Sequence, residues 1–303
     1  MNIEDLSIAI KQKAKEVGFS FCGISKVEML QNEADFLKVW LKNNYHAEMH
    51  YMENYFEKRT NPVLLLENAK SVISVLLNYY PEDKIDKNKY QLAKYAYGKD
   101  YHYIIKSKLI EVIEFIKLIG IEVNARNFCD SAPVMDKVWA QKSGLGWIGK
   151  NTCLIVPKAG SFFLIGEILL DIDLIYDKPV ENKCGSCTRC IDACPTNALI
   201  APYLLDARKC ISYLTIEHKP EFDEDLDLHN QIFGCDICQD VCPWNIKFAK
   251  QHSTNELDID KNLLNFTNED WQKLEKKEFK AFFKNTALER TTFERLKRNI
   301  SKA

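Results

Sequence analysis

The stretch CGSCTRCIDACP, residues 184–195, sets Cys184, Cys187, Cys190 and Cys194 in a C-x2-C-x2-C-x3-C-P frame. Of the eleven cysteines in the 303 residues, eight lie between Cys184 and Cys242. The chain has 46% hydrophobic and 28% charged residues and a formal charge of -2, the composition of a globular protein with material for a sizeable core. Its length suits two domains of ordinary size. No apolar run reaches the roughly 18 residues needed to cross a bilayer. The polar N-terminus, MNIEDLSIAIKQKAKEVGFS, lacks the apolar core of a secretory signal. A cytoplasmic location is therefore expected. In a reducing compartment, clustered cysteines bind metal or do redox chemistry rather than form disulfides.

The frame is that of bacterial ferredoxins, in which the fourth cysteine of a run ligates the other cluster when there are two. A second run, FGCDICQDVCPWN, supplies Cys235, Cys238 and Cys242 and again ends in Cys-Pro. It is one thiolate short, and Cys210 in ARKCISYLTIEHK is the candidate for the missing ligand. Crossed ligation assigns Cys184, Cys187, Cys190 and Cys242 to one [4Fe–4S] cluster. It assigns Cys194, Cys210, Cys235 and Cys238 to the other. Zinc fits less well, because zinc sites favour separated C-x2-C pairs and often include histidine. Cys22, Cys129 and Cys153 stand alone in apolar stretches and read as small buried hydrophobes.

The residues before the clusters read as mixed α/β, an α+β arrangement. Helical spacing marks IEDLSIAIKQKAKEVG, ADFLKVWLKNN and YHYIIKSKLIEVIEFIKLIG, the last ending at Gly120. FSFCGIS, SVISVLLNYY, IEVNARNF and SFFLIGEILLDIDL read as strands. We expect a first domain over residues 1–177, a ferredoxin-like domain over 178–245 and a basic helical segment over 246–303. The acidic PEFDEDLDLH reads as a solvated loop. From Gln272 onward there are ten Lys or Arg against four Glu, a net +6. That excess is either a solvated helical face or a phosphate-contacting surface.

In RNFCDSAPVMDKVWAQKSGLGWIGKNTCLI, Pro133 holds Ala132 extended, so Asp130 falls at a strand end before a turn. Working side chains collect at such places, but an aspartate there also serves as a turn former. Asp136 is placed in the first turn of the next helix. The glycines and lysine of GLGWIGKN resemble a loop that approaches a bulky anionic ligand, without the frame of a nucleotide-binding P-loop.

Taken together, DSAPVMDK, GLGWIGKNT, CGSCTRCIDACPTNAL, CISYLTIEHK and FGCDICQDVCPWN resemble the epoxyqueuosine reductases, over about Arg59 to Trp244. The resemblance implies an oxidoreductase that uses cobalamin and two [4Fe–4S] clusters and is related to reductive dehalogenases. Its substrate would be epoxyqueuosine at the wobble position of tRNA with a GUN anticodon. The first domain would hold cobalamin, and the ferredoxin-like domain would pass electrons from a flavodoxin or ferredoxin. The D-x-H-x-x-G signature of His-ligated cobalamin proteins is absent, since Ile232 follows Asp227 and His229 where glycine would stand. In this family the proton donor is the aspartate matched by Asp130, which implies a desolvated, protonated Asp130 beside an apolar corrin face. Asp130, Arg59, Lys150, Asn151, Ser212, Gly234, Cys235 and Asp236 match corrin-contacting positions, and Lys219 matches a tRNA-facing one. No membrane and no obligate oligomer are implied; the expected form is a monomer. The rivals are a reductive dehalogenase-like cobalamin enzyme and a plain iron–sulfur electron carrier.

Overall fold

The computed structural model describes all 303 residues. Its centre is a four-stranded sheet in the order Phe21–Lys26, Ser71–Asn78, Phe163–Leu170, Ala125–Phe128. Every neighbouring pair is antiparallel. All four fall on segments that read as strands in the sequence.

Alternation along Ser71–Asn78 explains why that run is apolar throughout. Ile73, Val75 and Leu77 face the helices Ile3–Glu16 and Tyr101–Leu118, which supply Leu6, Ile10, Ile105 and Leu109. Val72 faces the other way, against Val138 and Trp139 of the helix Asp136–Lys142. With helices on both faces, neither set of side chains meets water. The first helix begins at Asn2, whose side chain accepts the Asp5 amide at 2.8 Å. The long helix stops just before Gly120, at φ +83°, a backbone state open to glycine without strain.

A second core lies outside this sheet. Ile85, Tyr90, Leu92 and Tyr97 pack with Ile232 and Phe233 and with C-terminal residues such as Trp271, Phe283 and Leu296. Gln91–Leu92 pairs in parallel with Gln231–Phe233. The C-terminal helix Phe293–Ile300 closes the region: buried Asn299 donates to the Thr215 and Ile232 carbonyls at 2.9 and 3.0 Å. The clustered cysteines pack against smaller groups, Cys184 and Cys242 with Trp147 and Ile155, and Cys210 and Cys235 with Ile211 and Leu214. No helix is long and apolar enough to cross a membrane.

Candidate functional site

After the Ala125–Phe128 strand the chain turns through buried Cys129 to Asp130, whose φ of +56° is unusual for a residue with a side chain. The Asp130 side chain is 56% exposed. Tyr101 donates its hydroxyl to Asp130 Oδ2 at 2.6 Å. His102 brings Nε2 to 3.6 Å from the same oxygen, while its Nδ1 lies 2.7 Å from Asp100 Oδ1. Asp100 also caps the helix, accepting the His102 backbone amide at 2.9 Å. One capping residue therefore both starts the helix and orients the imidazole toward Asp130, the logic of an oriented acid–base pair.

The neighbouring His102 imidazole first, and then the hydrogen bond from Tyr101, hold the Asp130 carboxyl below the usual carboxylate range. Reciprocally, Asp130 foremost, with Asp100 helping, raises the His102 imidazole above its ordinary value. The donors to the carboxyl favour its charged form, while desolvation by the surrounding residues opposes it.

Tyr101 meets Tyr95 edge-on at 5.9 Å between ring centroids, and Tyr95 lies 6.4 Å from Phe233. Phe233 immediately precedes the Gly234–Cys235–Asp236 turn, so aromatic packing joins the acid to a cysteine loop. From the C-terminal segment, Arg290 pairs with Glu217 at 2.6 Å and is close enough to Asp130 to lower its proton affinity. Tyr101, His102 and Arg290 are site residues that the motifs do not mark.

The eight clustered cysteines gather in two groups. Cys242 lines one cavity of ≈ 190 Å³ with Cys184, Cys187 and Cys190. Cys194, Cys210, Cys235 and Cys238 lie near enough to perturb one another's ionisation. The Trp147 indole N–H points at Cys184 Sγ from 3.4 Å, and the Ala198 amide points at Cys194 Sγ from 3.2 Å. Such donors stabilise thiolates. Two sets of four thiols with N–H donors aimed at sulfur fit two [4Fe–4S] clusters. Cys153 is not merely a small hydrophobe, because it lies against the Cys238 thiol.

The glycines of the GLGWIGKN loop pack closely against the chain itself. A Cβ on Gly146 would lie 2.3 Å from the Ile155 carbonyl oxygen, and one on Gly149 would meet the Ile155 side chain at 2.5 Å. These glycines allow the chain to pack on itself. Gly146→Ala is expected to cost at least ~2 kcal/mol, as overpacking does, and to lower the midpoint of thermal unfolding. Lys150 donates its ammonium to the Gly185 and Cys187 carbonyls at 2.6 and 3.0 Å. Asn151, 4% exposed, donates to the Cys238 carbonyl at 3.3 Å and accepts from the Cys153 amide. The loop therefore ties the two cysteine runs together.

Of the other candidates, Arg59 donates to the Tyr51 carbonyl at 3.0 Å and leaves its buried Nε without a partner. Ser212 is half-buried in the Ile211–Ile216 helix. The Gly234 amide donates to Thr215 Oγ1, and the Asp236 carboxylate accepts the Lys94 amide at 2.7 Å and pairs with its ammonium at 3.3 Å. Lys219 is exposed, and its carbonyl accepts from Arg298 at 3.1 Å.

Part of the C-terminal basic excess is engaged within the protein. Arg295 and Arg298 donate to the Ile216, Pro220 and Leu214 carbonyls, and Lys276 pairs with Glu294 at 2.6 Å. Lys277, Lys280 and Lys284 are the exposed cations of that segment without a salt bridge.

Residues 183–245 match the family model described as a 4Fe-4S double cluster binding domain, and residues 59–131 match that described as Epoxyqueuosine reductase QueG, DUF1730. An epoxyqueuosine reductase of Leadbetterella byssophila is 55% identical over 302 residues, covering 99% of this chain and 98% of that one. One of Cellulophaga algicola is 52% identical, with 98% and 97% covered. The crystal structure of an epoxyqueuosine reductase with an epoxyqueuosine-modified tRNA-Tyr stem loop superposes with a TM-score of 0.90 at 29% identity, over 99% of this chain and 80% of that one. With relatives this similar along its whole length, the chain belongs to the epoxyqueuosine reductase family.

Proposed function

We propose that this protein reduces epoxyqueuosine to queuosine in the anticodon loop of tRNA, with Asp130 delivering a proton to the epoxide oxygen. The observation that carries the chemistry is the Asp100–His102–Asp130 array with Tyr101, open to solvent on the Asp130 side. Two electrons and two protons enter, the epoxide C–O bonds break, and an alkene and water leave.

Cysteines 184, 187, 190 and 242 would hold one cluster, and 194, 210, 235 and 238 the other. Cobalamin also fits the residues present. The Arg59 Nε–H is buried and lacks an acceptor, the Asp130 carboxyl is uncovered, and the Gly234–Asp236 turn lies across Tyr95 from it. Because side chains of Lys150, Asn151 and Asp236 are engaged elsewhere, contacts from those positions would come mainly from backbone, joined by Ser212 and Arg59. When bound, the clusters supply low-potential electrons and cobalamin supplies a strong nucleophile for the epoxide carbon. An outside flavodoxin or ferredoxin would replenish the electrons, and Lys219 would face the RNA backbone.

The protein's own part is proton management. In the free protein the Asp130–His102 pair holds its proton on the imidazole side, with Tyr101 donating to the carboxylate. A bound modified base covers the exposed carboxyl and strips its water, which raises its affinity for a proton. His102 is the nearest source. The proton then passes to the oxygen where negative charge builds as the ring opens.

The test is anaerobic reconstitution with iron, sulfide and cobalamin, then turnover of an epoxyqueuosine-containing stem loop with a chemical reductant. Mass spectrometry of the nucleosides should show one oxygen atom lost; unchanged epoxyqueuosine from fully loaded protein would refute the assignment. The raised His102 affinity also predicts a pH dependence. The imidazolium persists above the ordinary value of about 6.5, so the rate should fall only as pH climbs through that raised value. His102→Gln keeps a hydrogen bond but carries no titrating proton. It should lose about tenfold in rate near neutrality and abolish that alkaline limb, as single-turnover pH profiles would reveal.

A further inference from the structure

Behind the Asp130 turn lies an acid that the reaction as described does not use. Glu167 sits within the Phe163–Leu170 strand, opposite Ser74 on one side and Phe128 on the other, and is 0% exposed. Neither of its carboxyl oxygens has a hydrogen-bond partner, and Asp136 Oδ1 is likewise buried without one. Asp136 opens the helix that covers this face of the sheet, and the two carboxyls are neighbours. The other ionisable groups facing them are Arg59, Cys129 and Asp130.

Burial, with Asp136 adding to it, pushes Glu167 well above the ordinary carboxylate range. Asp136 is raised as well, chiefly by burial. Two adjacent buried carboxylates with no donor between them would be far too costly, and one proton held in common removes both deficits. The Asp136 carboxyl also faces the backbone amide of Asp130, the residue whose φ is +56°.

We propose that Glu167 and Asp136 share one proton and work as a unit that positions Asp130: Glu167 donates to Asp136, and Asp136 receives the Asp130 amide and holds its left-handed turn. Both are positioning residues, since they act on the reaction only through Asp130. A slack Asp130 turn would misplace the acid relative to the epoxide oxygen, and misplacement by about 1 Å can cost on the order of 100-fold in rate.

This inference rests on Asp130 being the proton donor, and its test separates the pair from the reaction. Infrared difference spectra of the iron- and cobalamin-loaded protein, wild type against Glu167→Gln at mildly alkaline pH, should show a protonated-carboxyl band that the variant lacks. In stem-loop turnover, Glu167→Leu should lower kcat roughly 10–100-fold with KM and cofactor content unchanged. Glu167→Gln, whose amide N–H can still donate to Asp136, should recover most of that loss. Absence of the band overturns the shared proton, even if Glu167→Leu fails to fold. Wild-type kcat in Glu167→Leu, or Glu167→Gln as slow as Glu167→Leu, overturns the positioning role. A loaded wild-type protein that left epoxyqueuosine intact would overturn that role together with the reaction, and the band would still decide the shared proton.

Discussion

Asp130→Asn should leave both clusters and cobalamin uptake intact and reduce the single-turnover rate by about 10²–10⁴-fold, the range a positioned general acid contributes. The substitution keeps the size and shape of the side chain. Tyr101 can still donate to the carboxamide oxygen, so the turn at φ +56° is not released, and asparagine tolerates that backbone state well. What disappears is the capacity to take a proton from His102 and hand it on. The expected signature is therefore a fall in kcat with little change in KM for the stem loop, an interaction made in the transition state alone. Lost iron or corrin in the variant would show that Asp130 supports the cofactors instead. An undiminished rate would place the donor elsewhere, and Tyr101 would be the next candidate. The exposed carboxyl makes this variant a fair probe: with the side chain 56% in solvent, little packing is disturbed.

The central sheet was legible in the sequence because its two middle strands, Ser71–Asn78 and Phe163–Leu170, are long, mostly buried apolar runs. Asp130 was legible as a strand-end residue because Pro133 limits what can precede it. Its protonation state was not legible. That state depends on His102, twenty-eight positions earlier, which sits in the first turn of a helix and reads there as an ordinary amphipathic residue. Glu167 did leave a signal, a lone acid inside LIGEILL, where a buried strand has no use for one unless it is paired or protonated. The use of the C-terminal charge was not legible, for a geometric reason. Composition counts cations but not where they point, and arginines that cap carbonyls inside a protein look the same in a sequence as arginines awaiting phosphate. The close approach at the glycine loop was legible, and at Gly146 the chain's own Ile155 backbone is one partner.

Cys242→Ala should strip the cluster bound by the first run while leaving that run's own three cysteines in place. Cys242 is 7% exposed and lines the same cavity as Cys184, Cys187 and Cys190, with Trp147 aimed at the Cys184 sulfur. With three thiolates the cubane lacks its fourth ligand, so iron and sulfide should fall by about half. Electron delivery would then fail, and stem-loop turnover with it. The double variants discriminate more sharply than any single one. If ligation crosses between the runs, Cys190→Ala with Cys242→Ala damages one cluster twice and leaves the other whole. Cys190→Ala with Cys194→Ala removes a ligand from each cluster, although these two residues share a single run. Straight ligation, one cluster per run, reverses both outcomes. Iron content and electron paramagnetic resonance of the reduced proteins would read the difference directly. A Cys190/Cys242 double variant devoid of clusters, beside a Cys190/Cys194 variant that keeps one, would sink the crossed scheme. The grouping of sulfurs in the fold favours crossing for a topological reason. The Gly146–Asn151 loop ties the two runs together, Cys242 lines the first run's cavity, and Cys194 lies near Cys210 and Cys235.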